Sequence, residues 1–87
     1  MKMEKHIFSY KNDGREVITL VIEPWLMIYE IKPLSTIVFT YTSNVKNVDI
    51  IGFKDNLVNV YFDFERIRVV LDDRDITRQY PIPMLNE

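Results

Sequence analysis

Eighty-seven residues, 47% hydrophobic and 28% charged, suffice for one domain and leave no material for a second core. A net charge of −2, with the arginines of 66–78 interleaved among aspartates, removes the cationic face that a sequence-independent grip on DNA or RNA needs. Cysteine is absent, which excludes disulfides and thiolate metal sites, and no apolar run resembles a signal segment or approaches the roughly 20 residues of a membrane helix. A cytoplasmic protein with neither membrane nor nucleic-acid partners is therefore expected.

Short β-branched and aromatic runs, punctuated by turn chemistry, predict an all-β fold over 1–87. The expected form is a small antiparallel β-sandwich or open barrel of about six or seven strands with an extended tail over 76–87. The first run, His6–Tyr10, ends at KNDG, and Asp13-Gly14 between strand-like residues predicts a hairpin. The next, REVITLVIE, is apolar on both parities, as a strand central in its sheet would be. Pro24 removes a backbone donor and biases Glu23 toward extended backbone, so the ladder should stop or change partner there.

Tyr29–Ile31 reads as a short strand before the turn KPLS. TIVFTYTS sets Ile37, Phe39 and Tyr41 on one face and Thr36, Val38, Thr40 and Thr42 on the other. A turn over 44–47, a short strand VDIIGF and a turn KDN follow. The next two strands alternate cleanly, with Val58, Val60, Phe62 and Phe64 on one face and then Ile67, Val69 and Leu71 inward. Read as a final hairpin, they share an outer face bearing Leu57, Tyr61, Arg68 and Val70.

Catalytic equipment is sparse. His6 stands alone near one end, with no nucleophile or orienting carboxylate beside it, and reads as a rim residue. DDRD, residues 72–75, lacks the glycine of a calcium loop and reads as a solvated strand-ending turn. With only Gly14 and Gly52, no phosphate loop and no nucleophile elbow can be built. The sequence assigns no catalytic residue, no metal ligand and no cofactor, and leans away from an enzyme.

The stretch IEPWLMIYEIKP, residues 22–33, breaks the pattern. Glu23, Pro24, Trp25, Tyr29 and Pro33 resemble a group of short bacterial proteins of unknown role with Glu-Pro-Trp, three residues, Tyr and then a Pro-Gly-type turn. The chain departs from that group at Leu26, Met27, Ile28 and Leu34, the last in place of the turn glycine. The resemblance covers about fourteen residues, implies a small all-β protein, and carries over no catalytic residue.

Two physical readings of the stretch compete. In one, Trp25 plugs an open end of the sandwich and Glu23 caps nearby backbone donors. In the other, Glu23, Trp25 and Tyr29 line a shallow binding pocket with an aromatic wall and an orienting carboxylate. Four successive apolar side chains on an extended chain cannot all face one core. Leu26, Met27 and Ile28, together with Tyr61, Arg68 and Val70, are thus expected to meet a protein partner. The leading functional expectation is a non-enzymatic protein–protein interaction module, self-associating as a homodimer or covering another protein as an immunity-type inhibitor does. The rival is a small-molecule binder or small enzyme working through Glu23, Trp25 and Tyr29.

Overall fold

The structure, a computed structural model, describes residues 3–44 and 48–85. Eight strands are found among them: β1 (Glu4–Lys11), β2 (Ile18–Glu23), β3 (Met27–Ile31), β4 (Thr36–Ser43), β5 (Asp49–Lys54), β6 (Leu57–Tyr61), β7 (Arg66–Leu71) and β8 (Arg74–Asp75), followed by one turn of 3-10 helix at Thr77–Gln79. They form two four-stranded sheets, β1-β4-β7-β8 and β3-β2-β6-β5, packed as a sandwich. The all-β sandwich expected from the pattern is therefore what the chain forms, with one short strand more than expected.

Alternation places the core. From the first sheet Ile37, Phe39, Tyr41, Ile67 and Val69 point inward, and from the second Leu20, Ile22, Met27, Tyr29, Ile31, Val58 and Val60. Phe62, just beyond β6, sits at their centre, its ring against those of Phe8, Phe39, Tyr41 and Phe64. The double-parity apolar run proves central: β2 lies between β3 and β6. Its ladder ends at Glu23, where the Glu23–Pro24 bond is cis and a tight turn returns the chain as β3 in the register Ile22 to Met27.

Three expectations about connection fail. The Asp13-Gly14 step does not close a hairpin, because β1 pairs along its length with β4 and β2 lies in the other sheet. Asn12 sets this crossing. Its buried amide donates to the carbonyls of Glu16 and Ile31, both at 2.8 Å, and its Oδ1 accepts from the N–H of Gly14 at 2.9 Å. Local satisfaction of the turn by a side chain thus replaces the paired strands that Asp-Gly usually announces.

Nor do β6 and β7 form a final hairpin. Residues 62–65 carry the chain from one sheet to the other, sending Phe62 and Phe64 into the core on the way. The sheets are also not antiparallel throughout, since β2 and β6 pair parallel, Thr19 to Leu57 through Glu23 to Tyr61. The crossover between them runs through β4 in the opposite layer. The turn expected over 44–47 lies, except for Asn44, outside the described residues. The tail is described as far as Leu85, and it runs alongside β7, with Met84 in a parallel bridge to Ile67.

Candidate functional site

A sandwich of two sheets has four edges, and every second residue of an edge strand turns its N–H and C=O outward. These edges differ in how much of their outward backbone is met and in what side chains they expose. On the far side of β7 every outward pair among Ile67, Val69 and Leu71 is met. Leu71 pairs with Arg74 of β8. Val69 receives the Ile76 N–H at its carbonyl and gives its own N–H to the Thr77 hydroxyl at 2.8 Å. Ile67 exchanges bonds with Pro83 and Leu85 of the tail, both at 3.0 Å.

The edge of β3 is covered by a side chain. The hydroxyl of Tyr80 accepts from the Ile28 N–H and donates to the Ile28 carbonyl, both at 2.8 Å, so one phenol closes this edge at Ile28, while Glu30 shares its outward parity. Gln79 adds a bond to the same carbonyl at 3.2 Å. The edge of β1 turns Ile7, 70% exposed, and Ser9 outward between Lys5 and Lys11, whose charges discourage further pairing.

β5 differs from all three. Its six residues are all exposed, and three are large and apolar: Ile50 (65%), Ile51 (57%) and Phe53 (65%). The direction of its backbone follows from its neighbours. Thr19 donates to the Asn56 carbonyl and Phe62 to the Glu23 carbonyl, so the even-numbered residues of β6 face β2. Val58 and Val60 thus turn away from β5, and their partners Phe53 and Ile50 direct N–H and C=O at the open edge. The same two residues point their side chains to the inner side of the sheet, as Val58 and Val60 do, but no residue of the other sheet covers them. A shift of register at Ile51 produces this common facing. Gly52 beside it opens onto space, with nothing within 4 Å of where a Cβ would sit.

The residues singled out from sequence scatter. Tyr29 is buried to 1% in the core, where burial and the neighbouring Tyr80 hold its hydroxyl well above the ordinary tyrosine range and so protonated. Glu23 lies on the opposite, outer face of the same sheet by alternation, so Glu23, Trp25 and Tyr29 do not converge on one pocket. Trp25 lies between the two readings of it. Its ring stacks on Phe64 at 4.5 Å and closes that end of the core, yet 41% of it remains exposed.

Among the six residues expected at an interface, Met27 is core, while Leu26 and Ile28 are exposed at the β2–β3 turn and on the outer face of β3. Tyr61 shares that outer face, but Arg68 and Val70 lie on the outer face of the other sheet because β6 and β7 are in different layers. Arg68 is engaged with the Leu85 carbonyl at 3.1 Å. The six therefore form no single surface.

His6 is partly buried at the rim of the first sheet, its Nε2 3.2 Å from the Ser43 carbonyl oxygen. In DDRD, Asp72 and Asp73, both at positive φ, form the tight turn between β7 and β8, and Arg74 and Asp75 are β8 itself. Asp72 accepts from Ser35 and from the Thr36 N–H, and Asp75 from the hydroxyl and N–H of Thr77, which hold both carboxyls below the usual range. Surface grooves lined by Ile76, Arg78 and Met84, and by Val38, Val70 and Asp73, touch none of Glu23, Trp25 and Tyr29. No group of three or more histidine, aspartate or glutamate side chains among the described residues is placed to hold a metal.

Sequence reading missed Ile50, Ile51 and Phe53. The available signal was two adjacent isoleucines before a glycine, which spoil period-2 alternation and leave an apolar side chain without a face to occupy. No helix among the described residues is long and apolar enough to cross a membrane. No family model, no curated protein and no solved structure matches this chain.

Proposed function

We propose that this protein is a non-enzymatic protein–protein interaction module that docks through the open edge of β5. One observation carries the reading. β5 offers unpaired backbone groups at Ile50 and Phe53 together with three exposed apolar side chains, while β3 at Ile28 and the far side of β7 are closed by Tyr80, Thr77, β8 and the tail. Edge addition takes its affinity from ladder hydrogen bonds and its selectivity from side chains on alternate positions, and β5 supplies both. Apolar side chains left uncovered on an unprotected edge are an aggregation hazard for a lone chain, so a partner strand is their physical explanation.

A photoreactive phenylalanine analogue tests the proposal when placed at Phe53 in the full chain within its native host. Glu30, on the β3 edge, serves as the comparison position. A discrete cross-linked protein from position 53, of one mass and absent from position 30, is the expected result. Cross-linking that is equal from both positions, or absent from 53, would overturn the reading.

A further inference from the structure

We propose that the partner of β5 is a second copy of this chain, paired antiparallel, β5 to β5, about a two-fold axis between Ile51 and Gly52. The inference rests on the reading of β5 as a docking edge. Its ground is that β5 is complementary to itself in backbone, in shape and in charge.

The outward backbone groups are those of Ile50 and Phe53. The antiparallel register that sets Ile50 against the partner's Phe53 engages both outward pairs of both chains at once. Registers that set Ile50 or Phe53 against its own copy engage one pair from each chain. Shape agrees with this register. In an unbroken strand residues three apart face opposite ways, but the extra residue at Ile51 turns Ile50 and Phe53 to the same side. Each therefore meets the other's copy on the uncovered inner side, and the four side chains form one apolar cluster. The irregularity does not spoil the match, because the two-fold axis places the partner's own bulge opposite it.

Charge agrees as well. The same register sets Asp49 against the partner's Lys54 at both ends of the pairing, and both residues belong to the outer side through their pairing with Tyr61 and Leu57. Exposed ion pairs contribute little affinity and are screened by salt, so their part is to fix register. The ladder bonds and the apolar cluster supply the attraction. Since every relation is reciprocal, the contact is isologous and closes at two chains without propagating into a filament.

The test is sedimentation and light scattering of the full chain from roughly 1 µM to 1 mM at low ionic strength. It compares the natural sequence with Asp49→Lys, Lys54→Asp and the double exchange. A concentration-dependent dimer is expected, weakened about tenfold or more by either single exchange, which opposes like charges at both ends, and restored by the double exchange. Circular dichroism on the same samples confirms that the exposed substitutions leave the fold intact. A chain that stays monomeric throughout, or a dimer indifferent to the single exchanges, would overturn self-pairing. A monomer whose position 53 still cross-links to a different protein sinks the second copy as partner and leaves the docking edge standing. Absence of both signals sinks the two together.

Discussion

Leu34 is 74% exposed in the left-handed region, at φ 69°, in the turn closed by the Ser35 N–H on the Lys32 carbonyl at 3.0 Å. A bulky side chain there costs about 1–2 kcal/mol in backbone strain and gains no burial in return. Leu34→Asn, which suits positive φ, is expected to raise stability by about 0.5–1 kcal/mol, read as a higher urea midpoint at unchanged slope. An unchanged or lower midpoint would mean that the leucine makes a contact in solution. Asp72 and Asp75 contribute to the loss of stability in acid. Their folded carboxyls are held low by hydrogen bonds from Ser35, Thr36 and Thr77, so on acidification the unfolded chain takes up protons first, near pH 4. Their contribution is thus complete above that pH and is lost as pH falls through the lowered folded values. In a urea series from pH 7 to 2.5, replacing both with asparagine should flatten the acid decline; an identical decline would assign it to other groups. Residue identity misled at Asn12, because a side chain that bonds its own loop looks, in sequence, the same as a hairpin turn.

At the scale of elements, the strands were legible and their partners were not. Thr36–Ser43, Leu57–Tyr61 and Arg66–Leu71 alternate as their one-sided burial requires, and the run 15–23 betrayed a central strand by being apolar on both parities. Partnership depends on which layer a loop enters. Residues 62–65 could have turned back as a hairpin had Phe62 and Phe64 not found the core between the sheets. That crossing divided the expected interface of Tyr61, Arg68 and Val70 between opposite faces. Edge protection by a tyrosine 52 residues away from Ile28 has no local sequence signal. Tyr80→Phe isolates it: the ring stays against Tyr29, while the N–H of Ile28 loses its acceptor. A loss of about 1–2 kcal/mol is expected, with faster amide exchange at Ile28 than at Tyr29. Unchanged exchange at Ile28 would show that the phenol is not what guards β3.

At the scale of the molecule, the sandwich closes its long edges unequally. The β8 hairpin, Thr77, the tail and Tyr80 are spent on one side, where β7 and β3 lie, and the apolar strand β5 is left on the other. A core built around Phe62 from both sheets fixes this arrangement, since it holds Val58 and Val60 inward and so directs Ile50 and Phe53 outward at their backbone. The measurement that reaches this claim most directly is residue-resolved amide hydrogen exchange on β5 across a dilution series. At low concentration the Ile50 and Phe53 amides should exchange as freely as unfolded ones, while Gly52 and Lys54, which face β6, stay protected. At high concentration Ile50 and Phe53 should become protected together. Protection of those two amides at every dilution, or freedom at every concentration, would contradict an edge that is open in the single chain and closed by a second.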